Sequence, residues 1–334
     1  MLLLLITLVP RPAQAAPIVL RLATAAPDGT AWARLMRALG RDLEAESGGA
    51  ASARWYFGGI AGDELGMLDR MKRGQLDGVL SGGVLCMRLS PSMKVLRLLG
   101  MFQSRDESSY VLGRLRPAID AEFHDNGFEN LGEAGLGSDI IFSRTPITTL
   151  FELKHARLWM WDLDDALLAQ LTALGGAPVP LPLQDAARAY DEKRTDGFIA
   201  VATAALAFQW SAQTKYLTEL RMGFLPGCMV LTNRAFDSLS LPIRQALKVS
   251  AARFQSRLDD LGRSQDIALL GSLFAKQGVK TVPVSATFSS EFFEAARIAR
   301  ESLRDKIIPG PLLDRVSAWL ADYRGEHAND RPHK

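Results

Sequence analysis

The sequence predicts an α/β fold with mainly parallel strands, because short apolar runs alternate with helices of amphipathic spacing. Two strand–helix–strand steps follow one another at the start of the chain, and a third occupies residues 157–182. Consecutive steps of this kind build a doubly wound sheet, and such sheets bind ligands outside the carboxyl ends of their strands. We therefore expect a binding crevice at that edge of the sheet.

The first two steps define the earliest candidate site residues. The predicted elements are, in order, a strand at 18–23, a helix at 30–47, a strand at 53–57, a helix at 63–72 and a strand at 76–80. Trp32 lies at the first strand-to-helix turn, where cleft residues are common, although its helical spacing also favours the core. Gly82 and Gly83 follow the third strand and either admit a ligand close to the backbone or make a turn.

The third step is the most informative part of the chain. Residues 152–162 read E-L-K-H-A-R-L-W-M-W-D, a basic turn and then a short buried strand that ends in Trp159 and Trp161. A helix and a second apolar run, broken by prolines at residues 174–182, complete the unit. Arg157 shares the Trp159 face, since side chains alternate along a strand. Asp162 either faces a ligand or caps the helix that follows.

The C-terminal third is predicted to be mostly helical. Apolar residues recur at helical spacing through residues 241–276 and predict one long helix. A late strand at 279–284 and helices at 288–308 and 312–323 follow, before a polar tail that we expect to fray.

Length and composition limit the class of protein. The 334 residues allow two domains, and the formal net charge of +2 arises from interspersed acids and bases. No basic stripe or run predicts nucleic acid or an anionic membrane as a partner.

The N-terminus predicts export. Residues 2–9 are apolar and Ala13-Gln14-Ala15 is a small-x-small cleavage pattern, so residues 1–16 are predicted to be a signal peptide that directs the chain to the periplasm. A membrane span needs roughly 20 apolar residues, more than this run supplies. A buried N-terminal strand is the alternative.

The two cysteines, Cys86 and Cys228, both lie in apolar surroundings. An oxidising compartment permits a disulfide, but buried cysteine also behaves as a small hydrophobic residue. We favour two buried thiols or an incidental disulfide over a structural bridge.

Catalytic and metal-binding patterns are missing from the sequence. It contains no G-x-S-x-G elbow, P-loop or G-x-G-x-x-G after a strand, and its four histidines are scattered. We therefore predict no catalysis, no metal and no cofactor. A secreted enzyme of a new type is the less favoured alternative.

Several segments resemble, in the same order, the solute-binding proteins of TRAP (tripartite ATP-independent periplasmic) transporters, of the DctP type. The matching segments are residues 58–64, 71–78, 91–102, 143–147, 152–158, 190–197 and 209–217. The family pattern at the third step is D-L-K-G-x-K-x-R-V, in which the arginine clamps the carboxylate of the substrate. In this chain Trp159 stands at the position of that arginine.

The resemblance implies two α/β lobes joined by a hinge, with a long helix packing across both. The implied parts are lobe I at 17–138 and 226–255, lobe II at 139–225 and 275–310, the spanning helix at 241–276, and a C-terminal helix and tail at 311–334. The chain would cross between lobes near residues 137–142 and return near 224–231. The resemblance also implies that a solute is held in the interdomain cleft and delivered to the small and large integral membrane subunits of a TRAP system.

The chain departs from the family pattern in one direction. Besides Trp159, Gly137 stands where the family often has a second arginine, and Phe198 follows Asp196-Gly197 where polar residues are usual. A bidentate arginine supplies charge and two hydrogen bonds to a carboxylate, whereas tryptophan offers an apolar face and one N–H. We therefore expect an apolar or aromatic solute.

Other interpretations stay open from the sequence. Trp159 and Phe198 each have a role in the core as an alternative, and Arg157 with Arg144 offers a route to a charged ligand. A binding protein that serves a sensor or an envelope lipid-trafficking system is the alternative to a transport function.

Overall fold

The computed structural model describes residues 16–327 and shows a mixed α/β architecture. The strands are β1 Ile18–Ala23, β2 Ala51–Tyr56, β3 Gly78–Ser81, β4 Phe128–Ser143, β5 Arg157–Trp161, β6 Ala177–Leu181, β7 Gly197–Val201, β8 Tyr216–Thr218, β9 Phe224–Thr232 and β10 Lys280–Val282. The helices are α1 Ala31–Glu46, α2 Glu64–Lys72, α3 Val84–Leu89, α4 Arg105–Asp125, α5 Leu150–His155, α6 Asp165–Ala173, α7 Ala186–Asp191, α8 Ala202–Ala207, α9 Asn233–Asp237, α10 Leu241–Ala268, α11 Phe274–Lys276, α12 Ala286–Ser302 and α13 Gly310–Glu326. The α/β prediction is confirmed.

The sheet has two parallel parts joined by long antiparallel strands. Its main path runs β2-β1-β3-β9-β4-β7-β5-β6, and β8 pairs with β4 and β10. Strand β1 is parallel to β2 and β3, and β5 is parallel to β6 and β7. Strands β4 and β9 are antiparallel to their neighbours on this path. The first part, with β9, is called the first lobe below, and the part containing β5, β6 and β7 is called the second lobe.

Strand β4 continues from one lobe into the other. Its residues 128–138 pair with β9, and residues 139–143 pair with β7. The pairing with β9 shifts register between Gly135 and Gly137, and Gly137 has φ of +147°, which L side chains rarely adopt. The bulge therefore occupies the point at which β4 leaves the first lobe.

Local sequence signals account for the helix starts. The Thr30 side chain accepts from the Ala33 amide at the start of α1, and Asp63 accepts from the Gly66 amide at the start of α2. Such caps satisfy amides that the first helical turn leaves unpaired. The predicted helix at 288–308 is too long, because α12 ends at Ser302 and a turn with Asp305 at φ +61° follows it.

Helix α10 packs on the first lobe, and the segment that follows it packs on the second. Phe254 and Leu258 of α10 lie in the apolar core of the first lobe, which also contains Met36 and Leu231. A single π-helical turn, Leu269–Leu273, then leads to α11, and Leu269 and Phe274 pack beside Phe142 and Trp159 of the second lobe.

Cys86 and Cys228 form a disulfide between α3 and β9, with their Cα atoms 5.8 Å apart. Of the two favoured interpretations, two buried thiols or an incidental disulfide, the structure shows the disulfide, and both residues are buried as expected. The cysteines are 142 positions apart in sequence, and only the pairing of β3 with β9 brings them together.

The predicted signal peptide, except for its last residue, and the end of the tail lie outside the described residues. Within residues 16–327, no helix is both long and apolar enough to cross a membrane.

Candidate functional site

A cavity of about 120 Å³ lies between the two lobes. Thr24 follows β1, Gly82 follows β3, Trp161 ends β5 and Val201 ends β7, and all of them line the cavity. The cavity therefore lies at the carboxyl ends of the parallel strands, where a binding crevice was predicted. Helix α10 closes a further side with Phe254 and Leu258.

Aromatic side chains make up much of the cavity wall. Trp159, Trp161, Trp210 and Phe208 come from the second lobe and Trp32 from the first. The rings of Trp159 and Trp210 are 4.8 Å apart, and those of Trp210 and Phe208 are 5.1 Å apart. These distances are typical of packed aromatic pairs, which give a continuous apolar surface.

Trp159 combines a core position with a place in the cavity wall. It is 3% exposed, and its indole N–H donates to the Leu181 carbonyl at 3.0 Å. The hydrogen-bonding capacity of this indole is therefore used within the protein, and Trp159 presents its apolar surface to the cavity.

Phe198 lies behind this wall, in the core. It is fully buried and stacks on Trp210 at 5.2 Å and on Tyr190 at 5.1 Å. It is not among the residues that line the cavity. The expectation that Phe198 faces the ligand is therefore corrected, because β7 directs this side chain into the aromatic cluster that supports Trp159 and Trp210.

Neither candidate arginine of the second lobe reaches the cavity. Arg157 has a side chain that is 50% exposed and makes two hydrogen bonds to Asp196. It begins β5, so it lies one strand repeat of about 7 Å before Trp159 and toward the opposite edge of the sheet. Arg144 stacks over the Tyr190 ring at 4.0 Å. The predicted route to a charged ligand through these residues is corrected.

Asp162 also lies outside the cavity, and the helix cap expected of Asp162 is supplied by Asp164 instead. Asp164 caps α6 by accepting from the Leu167 amide at 3.0 Å. Asp162 lines an adjoining groove together with Asp165.

The two candidate glycines have different roles. Gly82 lines the cavity, and a Cβ at this position would lie 3.8 Å from the Trp161 ring of the other lobe. Gly83 has φ of +120°, and a Cβ there would lie 2.5 Å from the Pro226 carbonyl oxygen. Gly83 thus allows the backbone after β3 to approach β9, and it does not line the cavity.

We expect Gly83→Ala to lower the free energy of unfolding by about 1–3 kcal/mol, because it combines a strained backbone with a collision against a carbonyl. Gly82→Ala is the matched control and should change it by much less, because its nearest neighbour would be Glu64 Oε1 at 3.5 Å. Urea denaturation compares the two variants, and equal losses would contradict this difference.

Sequence reasoning missed a buried ionic cluster in the cavity wall. Arg97 is 3% exposed and donates from Nε to Asp164 at 2.8 Å and from Nη1 to Asp139. All three side chains line the cavity. The sequence feature that could have indicated this cluster is Arg97, a single charged residue within the apolar run of residues 95–102.

The backbone around Arg97 is fixed by the second lobe. The Leu99 amide donates to Gln170 Oε1 at 2.7 Å, and Gln170 Nε2 donates to the Arg97 carbonyl at 3.2 Å. Gln170 itself is fully buried on α6. Hydrogen bonds therefore hold both the side chain and the main chain of Arg97 in place.

Glu64 forms a second buried polar group beside the cavity. Its carboxylate accepts from the Ser81 hydroxyl and from the Gly82 and Leu85 amides at 2.5–2.7 Å. Burial raises the pKa of Glu64 above its usual range, and these hydrogen bonds oppose that shift. The group fixes the turn after β3 that carries Gly82.

No group of histidine, cysteine or acidic side chains within residues 16–327 has the arrangement of a metal site. The carboxylates in the cavity wall are engaged by Arg97 and the α6 amide instead.

Two lobes with a cavity at their strand ends, linked by a strand that runs through both, define a solute-binding protein of the periplasmic type. The family described as DctP, bacterial extracellular solute-binding protein family 7, matches residues 22–304. The chain belongs to this family, and the resemblance inferred from the sequence is confirmed.

A curated relative is the 2,3-diketo-L-gulonate-binding periplasmic protein YiaO of Escherichia coli (strain K12), 22% identical over 211 residues. The alignment covers 63% of this chain and 64% of that relative, so the chain spans a little under two thirds of its length.

Solved structures share the fold over nearly the whole chain. The sugar acid binding protein DctPAm of Advenella mimigardefordensis, in complex with galactonate, has a TM-score of 0.85 at 18% identity and covers 92% of this chain and 98% of its own. A TRAP periplasmic solute-binding protein of Desulfovibrio desulfuricans, with bound sn-glycerol-3-phosphate, has a TM-score of 0.83 at 17% identity and covers 92% and 97%.

Proposed function

We propose that this protein captures a small solute with an apolar or aromatic body in the cavity between its lobes and delivers it to TRAP-type membrane subunits. The observation that carries the proposal is the aromatic cavity wall formed by Trp159, Trp161 and Trp210. Burial of apolar surface contributes about 25 cal/mol per Å², so a few hundred Å² support useful affinity.

The ligands named for the relatives differ from the proposed solute, so the proposal rests on the cavity of this chain. The ligands named for the structures above are a sugar acid and a phosphate ester. In this chain, the cation in the cavity wall is Arg97, and two carboxylates already occupy it. The proposed solute therefore differs in class from those of the relatives.

We also propose a hinge at the strands that link the lobes. Strand β4 changes partner from β9 to β7 at residues 138–139, and β9 starts again beside it at Phe224. The proposed lobe boundaries follow these two positions, and closure would move Trp161 relative to Gly82 across the cavity.

The direct test is native mass spectrometry of the mature protein, followed by solvent extraction of whatever it releases. We expect a bound small molecule with an apolar or aromatic body. Release of a sugar acid or a phosphate ester as the specific ligand would overturn the proposed solute class.

A variant ties the released molecule to the cavity. Trp161 is half-buried and lines the wall, so Trp161→Ala should weaken binding by about tenfold or more, equivalent to about 1.4 kcal/mol. Trp161→Phe keeps an aromatic ring and should retain most of the affinity. Equal affinity in wild type and Trp161→Ala, measured by calorimetry, would contradict the assignment of the site.

A further inference from the structure

The cavity wall contains one more carboxylate than basic groups by formal count. The charged side chains that line it are Arg97, Asp139 and Asp164. Their formal charges, one positive and two negative, leave one negative charge within a wall that is otherwise mostly apolar. Charges interact more strongly in such a poorly solvated site than in water.

The two carboxylates are not equally satisfied. Asp164 accepts from Arg97 through Oδ2 and from the Leu167 amide through Oδ1. Asp139 accepts from Arg97 through Oδ2, and no hydrogen bond from residues 16–327 reaches its Oδ1. Asp139 is only 2% exposed, and its surroundings include the cavity. Asp139 Oδ1 is not fully buried, so it remains open as an acceptor for a donor on a ligand in the cavity.

We propose that the solute is an organic cation, in which a protonated amine donates to Asp139 and an apolar or aromatic body packs against Trp159, Trp161 and Trp210. This inference rests on the proposed function, because it assigns the solute class of the same cavity. The amine satisfies the open acceptor and balances the excess negative charge of the ionic cluster.

The aromatic wall suits a cation as well as an apolar body. Cations are attracted to the faces of aromatic rings, most strongly to tryptophan, and the attraction grows when the site is desolvated. A carboxylate solute would instead be placed against a net negative wall, because the guanidinium of Arg97 already binds two carboxylates. The same geometry thus favours an amine and disfavours an acid.

The experiment compares matched probes that differ only in their polar end. The amines are 2-phenylethylamine, tryptamine and hexylamine, and each is paired with its alcohol (2-phenylethanol, tryptophol, hexanol) and its acid (phenylacetate, indole-3-acetate, hexanoate). Calorimetry with mature protein freed of co-purified solute measures the dissociation constant of each probe. We expect at least one amine to bind about tenfold or more tightly than its matching acid and alcohol.

The inference is overturned if none of the three amines binds, or if each binds less than about tenfold more tightly than its matching acid and alcohol. The extraction experiment decides the proposed function independently, because an apolar neutral solute would support that function and still exclude a cation. The two failures are therefore distinguishable.

Asp139→Asn tests the residue itself. It is nearly isosteric and leaves Arg97 paired with Asp164, so the amine-to-acid affinity ratio should fall by about tenfold or more. Asp196→Asn is the matched control, since Asp196 is engaged by Arg157 outside the cavity, and the ratio should stay at the wild-type value. An unchanged ratio in Asp139→Asn overturns the assignment to this residue, and if that variant does not fold, the wild-type ratios still decide the solute class.

Discussion

Replacing Arg97 with methionine is expected to lower the free energy of unfolding by about 3–5 kcal/mol. The substitution keeps a long side chain but leaves the carboxylates of Asp139 and Asp164 buried beside each other without their cation. An uncompensated buried charge costs far more than an exposed one, because the protein interior solvates it poorly. Urea denaturation of the mature protein measures the change.

Arg157→Met is the matched control for this prediction. Arg157 also binds an aspartate through two hydrogen bonds, but its side chain is half exposed, and water replaces the lost pair. Its free energy of unfolding should stay close to wild type. Combining Arg97→Met with Asp139→Asn should recover part of the loss, since one of the unpaired charges is then removed. Equal stability of wild type and Arg97→Met would show that the cluster is solvated or otherwise compensated.

Trp159→Ala is expected to lower the free energy of unfolding by about 3–5 kcal/mol and to weaken solute binding by about tenfold or more. It deletes a ring that packs on Trp210 and Phe198, and it leaves the Leu181 carbonyl without its indole donor. The same deletion removes a wall of the cavity. Denaturation and calorimetry report the two effects separately.

Trp55→Ala provides the comparison for the stability effect. Trp55 is half-buried in β2 and stacks on Phe57, so its truncation removes less buried surface and should cost less.

Trp159→Arg should not create a carboxylate clamp, because it places a cation within the aromatic cluster at a position that is 3% exposed. A Trp159→Arg variant that binds acids well would contradict this expectation.

The strands and helices next to the first turn were predictable from local patterns. Strand β1 and the Thr30 cap of α1 follow from an apolar run and from capping chemistry, both of which act within a few residues. The end of α12 was placed too late, because apolar residues continue past Ser302 and only the turn at Asp305 breaks the helix.

The candidate site was predictable only in part. Trp159, Trp161, Trp32 and Gly82 line the cavity because the carboxyl ends of parallel strands meet at one edge, a rule that applies once the strands are recognised. The positions of Phe198 and Arg157 were not determined by strand alternation. Strand alternation predicts on which face of the sheet a side chain lies. It does not predict which part of that face lines the cavity, because the other lobe and α10 cover the rest.

The ionic cluster is the clearest case of long-range determination. Arg97 is 42 residues from Asp139 and 67 from Asp164, and nothing in the local sequence pairs them. The sequence by itself determined the α/β class and the family, because these depend on local periodicity and on motifs. The tertiary structure alone decided the Cys86–Cys228 disulfide and the Arg97–Asp139–Asp164 cluster, because both arise from strand pairing and burial between distant segments.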